Sequence, residues 1–184
     1  SRQAVFLLEE AGLLLEAASN LTLLDIDGFI SIDSRTTKTS DIFIAIRGEK
    51  IDAHDFLADL CIQDLGLVLI EDKTKIKSLK LPWVLVKNTR KAWSILCAKA
   101  YGDPQKKLKI IGITGTNGKT SISWLSKEFF RLAGEKICLI GTLGAFFDDE
   151  HITTNHTTPD PDIFFALLKK AVEKGIRYVV MEVS

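Results

Sequence analysis

The sequence carries no charge bias, since 24 Lys and Arg stand against 24 Asp and Glu and give a formal net charge of zero. Without a basic stripe there is no electrostatic footprint for nucleic acid or for an anionic membrane. Histidine and cysteine are both scarce, at three residues each. His54, His151 and His156 fall into no triad or metal-ligand spacing. Cys61, Cys97 and Cys138 lie far apart in apolar runs, which speaks for buried free thiols and against a disulfide or metal set. No apolar run is long enough to span a membrane. The leucine-rich start is broken by Glu9, Glu10 and Glu16, with no basic n-region or cleavage site, so the expectation is a cytoplasmic protein. There is also no low-complexity segment. What remains is a chain of 184 residues, 46% of them hydrophobic, enough for one large or two small cores.

One stretch carries chemistry. Thr114-Gly-Thr-Asn-Gly-Lys-Thr-Ser121 follows the apolar run Leu108 to Ile111 and precedes a helical pattern from Ile122 to Ala133. Strand, glycine-rich turn, Lys-Thr and helix form the P-loop arrangement that cradles nucleotide phosphates. Gly115 and Gly118 allow positive φ, bringing backbone N–H groups close to phosphate oxygens. The helix start adds its unsatisfied N–H groups and positive dipole end. Gly115, Thr116, Asn117, Gly118, Lys119, Thr120 and Ser121 are therefore the candidate ATP-binding residues, with Lys119 reaching the β/γ-phosphates and the Thr120 hydroxyl on Mg²⁺. The general G-x-x-x-x-G-K-[ST] pattern would place glycine at 113, where Ile113 stands, so this loop is a tighter variant. In a neutral chain it points to a small phosphorylated ligand.

Around the loop, strand and helix patterns alternate, which predicts an α/β fold with a mainly parallel sheet. Helices are expected over Val5 to Ala18, Ala53 to Leu65, Thr89 to Ala100 and Pro161 to Lys174, with Asp160 as the N-cap of the last. Strands are expected at Phe29 to Ile32, Asp41 to Ile46, Leu67 to Ile70, Trp83 to Val86, Lys136 to Ile140 and Arg177 to Val183. Asp33 to Ser40 and the lysine-rich Lys73 to Lys80 read as loops, and Gly141 to Gly144 as a turn. Tyr101 to Lys107 is the best boundary, because Gly and Pro stop the helix there. The division is 1–102, a linker at 103–107, and 108–184. Ending on a buried apolar strand with few strands after the P-loop, the chain is expected to be a fragment.

These residues resemble a known family. Thr114 to Ser121 is similar to the P-loop signature of the Mur ligases, the ATP-dependent amide-forming enzymes of peptidoglycan synthesis, and folylpolyglutamate synthetases share a similar loop. Asp33-Ser-Arg35, Asp41-Ile-Phe-Ile-Ala-Ile-Arg-Gly48 and Asp52-Ala-His-Asp-Phe56 resemble the UDP-binding N-terminal domain of the tripeptide-synthetase branch. His156-Thr-Thr-Pro-Asp160 resembles its substrate loop and Met181-Glu-Val-Ser184 a strand of its ATPase domain. The resemblance implies an N-terminal UDP-sugar-binding α/β domain over 1–102, followed by an incomplete Rossmann-like P-loop domain over 108–184.

It also implies a reaction. ATP would phosphorylate a carboxylate of UDP-N-acetylmuramoyl-L-alanyl-D-glutamate, and the amine of a third amino acid, meso-diaminopimelate or L-lysine, would displace phosphate. Lys119 and Glu182 are then the catalytic candidates, and Thr120 and Glu182 the Mg²⁺ ligands. Ser34, His54, His156, Thr157, Thr158 and Ser184 would bind the UDP-linked peptide. Many relatives carry Asn immediately before the Thr-Thr pair, where this chain has His156 and places Asn155 one position earlier. By the same resemblance the carbamylated lysine, the adenine contacts and the domain selecting the third amino acid lie beyond Ser184. The full-length protein is expected to be a monomer, and this chain alone to be inactive. Two other readings stay open: a folylpolyglutamate-type ligase, and a non-catalytic module binding the UDP-linked precursor.

Overall fold

In the computed structural model the described residues are 2–18, 29–35, 37, 41–48, 51–57, 65–78, 81–148 and 150–184. The chain divides into two compact units, Ser1–Ala100 and Tyr101–Ser184.

The first unit contains helices α1 (Arg2–Glu10) and α2 (Thr89–Ala100) and strands β1 (Leu14–Ala17), β2 (Ile30–Ser31), β3 (Ile42–Ile44), β4 (Leu67–Ile70) and β5 (Trp83–Val86). The strands form one sheet in the order β1-β5-β4-β3-β2, antiparallel only between β1 and β5. The central strand β4, Leu-Val-Leu-Ile, is buried at every position, as a parallel strand covered on both faces should be. Val68 and Ile70 join Phe43, Ala45, Leu57, Leu65 and Leu85 in one cluster, so Leu67 and Leu69 serve the opposite face. Asn88 caps α2 by accepting the Lys91 amide at 2.8 Å.

Three expectations for this unit need correcting. The helix predicted to run from Val5 to Ala18 ends at Glu10. Gly12 at φ +66° lets its own amide bond the Glu9 carbonyl and the Leu13 amide bond that of Leu8, the Schellman closure that glycine favours. The apolar residues beyond it then pair with β5 as β1. At Ala53–Phe56 the chain forms a single 3-10 turn, and residues 58–64 of the predicted helix, Cys61 included, lie outside the described residues. Lys73–Ser78, read as a loop, also forms 3-10 turns.

In the second unit, β6 (Lys109–Ile113), α3 (Lys119–Leu132), β7 (Ile137–Gly141), β8 (Gly144–Phe147), β9 (Glu150–Ile152), α4 (Pro161–Glu173) and β10 (Tyr178–Glu182) follow one another. The sheet order is β6-β10-β7-β8-β9. β10 runs parallel to both β6 and β7, while β8 and β9 extend the sheet as an antiparallel hairpin that periodicity did not reveal. The sheet is thus mixed, parallel where it carries the P-loop. Pro104–Lys107, in the stretch read as a linker, forms a 3-10 turn that belongs to this unit and contacts α4. Cys97 and Cys138 are buried and form no disulfide, and burial pushes the Cys138 thiol up to about 12. No helix among the described residues is long and apolar enough to cross a membrane.

Candidate active site

Three parallel strands end at the same edge of the second sheet. β6 runs into the P-loop, β7 into the Gly141–Gly144 turn, and β10 into Glu182 and Ser184. Crevices outside the carboxyl ends of parallel strands are where open α/β sheets bind ligands. A cavity of about 280 Å³ opens here, lined by Thr116 to Ser121, Thr142, Thr157, Glu182 and Ser184.

The P-loop backbone has the form its glycines permit, with Gly115 at φ +143° and Gly118, the N-cap of α3, at φ +78°. The Lys119 Nζ donates to the Gly115 carbonyl at 2.7 Å, so its ammonium lies over the loop.

Glu182 is the centre of the arrangement. It is 1% exposed, and among the described residues no cationic side chain pairs with it. Hydroxyls hold it instead. Thr120 donates to Oε2 at 3.0 Å and Thr142 to the same oxygen at 2.9 Å, while Ser123 lies 3.3 Å from Oε1. Gly141 makes room: a Cβ there would stand 2.2 Å from Glu182 Oε1. A buried carboxylate lacking a countercharge, flanked by hydroxyl oxygens, is an oxygen-only donor set of the kind Mg²⁺ takes. No group of three His, Cys, Asp or Glu that could hold a metal ion occurs among the described residues.

The loop before α4 meets this cluster. The Thr157 hydroxyl lies 3.1 Å from that of Thr142. Thr158 is tied to the strand end: its hydroxyl donates to the Glu182 carbonyl at 3.0 Å and accepts the Ser184 amide at 3.0 Å. His156 is exposed, and its carbonyl accepts the Thr154 hydroxyl at 3.2 Å. Asp160 occupies the N-cap position before Pro161, but its side chain makes no capping bond. The sequence places Gly141 and Thr142 only in a turn and gives Ser123 no role. The signal was there in a Gly-Thr turn directly after a buried strand, but nothing in the pattern says that β10 inserts between β6 and β7.

A second cavity, about 700 Å³, lies in the first unit and is lined by Ile32 to Arg35, Phe43, Ile51, Ala53 and Phe56. Ser34 is in its wall. Beside it Asp33 takes the Arg35 guanidinium on both oxygens, at 2.9 and 2.7 Å, and the Arg35 amide at 3.0 Å. That guanidinium and the amide hold the Asp33 carboxyl at about 2. His54 is 1% exposed. Its Nε2 accepts the Glu71 amide at 3.1 Å, so the proton is on Nδ1, which donates to Asp52 Oδ1 at 2.6 Å. Both ring nitrogens are engaged inside the unit. Burial pushes Asp52 up, but the His54 amide, the Arg47 guanidinium and the His54 ring outweigh it and hold the carboxyl at about 2.

Residues 113–184 match the Mur ligase middle domain. The UDP-N-acetylmuramoyl-L-alanyl-D-glutamate–2,6-diaminopimelate ligase of Parabacteroides distasonis is 34% identical over 93% of this chain and 34% of its own length. The enzyme of the same name from Clostridium tetani is 39% identical over 84% of this chain and 32% of its own. The chain belongs to the Mur ligase family. A solved structure of a ligase with that name covers 85% of this chain and 31% of its own, with a TM-score of 0.64 at 25% identity. A MurF ligase from Thermotoga maritima, solved with ADP, shares the fold at a TM-score of 0.52 and 17% identity, over 87% of this chain and 33% of its own. The present Mur ligase chain thus spans about a third of the length of the curated relatives it matches.

Two outcomes follow from this geometry. Gly141→Ala drives a methyl group into Glu182 and should cost about 1–3 kcal/mol, as overpacking does, read as a lowered unfolding midpoint. Asp33 should titrate with an NMR midpoint near 2, and Arg35→Ala should bring it back toward the ordinary carboxylate value of about 3.9.

Proposed function

We propose that this chain is the N-terminal part of an ATP-dependent ligase that adds a third amino acid to UDP-N-acetylmuramoyl-L-alanyl-D-glutamate. The observation that carries this reading is the buried Glu182 carboxylate, held by the Thr120 and Thr142 hydroxyls beside the P-loop. The curated relatives, whose names state that ligation with 2,6-diaminopimelate, support the substrate class.

On this reading the P-loop amides and the α3 N-terminus bind the ATP phosphates. Lys119 leaves the Gly115 carbonyl and places its charge against the β/γ-phosphates, where negative charge shifts during transfer. Thr120 and Glu182 would hold Mg²⁺, which would supply charge neutralisation at the γ-phosphate. The substrate carboxylate oxygen attacks the γ-phosphorus, the bond to the β-phosphate oxygen breaks, and ADP leaves an acyl phosphate. The amine of the incoming amino acid attacks the acyl carbon, loses a proton and expels phosphate. Thr157 and Ser184 face the cavity and orient the peptide end, with Thr158 fixing Ser184. Ser34 and the surrounding wall of the first-unit cavity take the uridine end. His54 acts through Asp52 and Arg47, and His156 contacts the substrate from the exposed loop. The enzyme is cytoplasmic on this reading.

Calorimetry tests the assignment. The UDP-linked dipeptide should bind well beyond UMP, and folate should not bind. Mg·ADP should bind too, about ten- to a hundredfold more weakly to Lys119→Ala, the loss expected for a charge-assisted contact. Folate binding alone would favour a folylpolyglutamate-type enzyme. UDP-dipeptide binding with no Mg·ADP binding would favour a non-catalytic precursor-binding module.

A further inference from the structure

Thr142 reaches Glu182 from a tight turn, and a side chain two strands away bonds to that turn. His151, on β9, lies directly opposite Phe146 on β8. The two rings stack with centroids 4.2 Å apart and planes 8° apart. The stack brings the His151 Nε2 to 2.8 Å from the Leu143 carbonyl, an acceptor with no proton of its own, so Nε2 is the donor. Leu143 is the residue after Thr142. The fit is close on the far side as well, since a Cβ on Gly144 (φ +109°) would lie 2.7 Å from that same Nε2 and 2.5 Å from the Ile152 carbonyl. Phe146 in turn sets its ring against Trp124 of α3, 4.9 Å between centroids at 65°. The hairpin is thereby braced against the helix that the P-loop begins.

We propose that His151 is a positioning residue of the nucleotide site: its Nε2–H fixes the Thr142–Gly144 turn, so that the Thr142 hydroxyl stays on the Glu182 carboxylate. Without that bond the turn keeps its strand pairings but loses the tie on its apex, and Thr142 leaves Oε2. Glu182 then has one well-placed hydroxyl fewer to set its orientation toward a metal. The P-loop amides and Lys119 do not depend on the turn. The effect therefore falls on the metal-dependent part of nucleotide binding and spares the rest.

This inference rests on the nucleotide reading above, so the test separates the two. ADP affinity of the 184-residue chain is measured with and without Mg²⁺ for wild type, His151→Phe, His151→Gln, Thr142→Val and the His151→Phe/Thr142→Val pair. His151→Phe keeps an aromatic ring on Phe146 and removes only the donor; His151→Gln restores a donor. The expected result is a metal-dependent gain reduced about three- to tenfold in His151→Phe, the range for one hydrogen bond, and largely recovered in His151→Gln. Metal-free affinity stays unchanged, and the double variant is no weaker than Thr142→Val, because both changes cut one linkage. An unchanged gain in His151→Phe, or additive losses in the pair, would overturn the proposal. Amide hydrogen exchange at 142–144, which needs no ligand, should quicken in His151→Phe, and equal exchange sinks the idea regardless of binding. A wild-type chain that binds no nucleotide refutes the nucleotide reading, and the exchange result then decides whether His151 sets the turn.

Discussion

A buried negative charge without a countercharge is the constraint from which the second unit is built. Removing a carboxylate from water costs several kcal/mol even after relaxation. Glu182 recovers part of that through hydroxyl donors from two segments of the chain, Thr120 on α3 and Thr142 after β7, with the Ser123 hydroxyl nearby at 3.3 Å. Their convergence requires β10 to sit between β6 and β7. It also requires a residue with no side chain at 141. The sheet order, the glycine and the hydroxyls together accommodate this one group beside the P-loop.

The first unit solves a similar problem with charges that do have partners. Arg47 pairs with Asp52 at 2.8 Å, Asp52 takes the His54 ring, and His54 takes the Glu71 amide. The Glu71 carboxylate accepts both the amide and the hydroxyl of Thr89, at 2.9 and 3.0 Å, at the start of α2. An acid at a helix N-terminus also meets the positive end of the helix dipole. This chain of contacts fixes the 52–56 segment to the sheet and to α2 without leaving any buried member unpaired. It organises the wall of the first-unit cavity with paired charges, where Glu182 is met by hydroxyls.

Much of the site could be read from local sequence, because a P-loop is local chemistry. The glycines, Lys119 and Thr120 are contiguous, whereas Glu182 is singled out only through the family resemblance of Met181 to Ser184. Thr142 is not, since its role exists only through a strand neighbour separated by 40 residues. The hairpin of β8 and β9 escaped for a related reason: each strand is only three or four residues long and draws its stability from pairing, not from its own pattern. In the first unit, helical spacing from Val5 onward overrode a single glycine, and the backbone sided with the glycine. His54 carried a ligand's residue type, but its two ring nitrogens face protein atoms, which no spacing rule could reveal.

The convergence of three strand ends on one cavity has a thermodynamic side. An anion and cation seated among Thr120, Thr142 and Glu182 would bridge segments that are far apart in the chain, and only the folded unit presents them together. By mass action, such a ligand raises stability by RT ln(1 + [L]/Kd). The melting temperature of this unit then ceases to be a property of the polypeptide alone and becomes a gauge of nucleotide concentration.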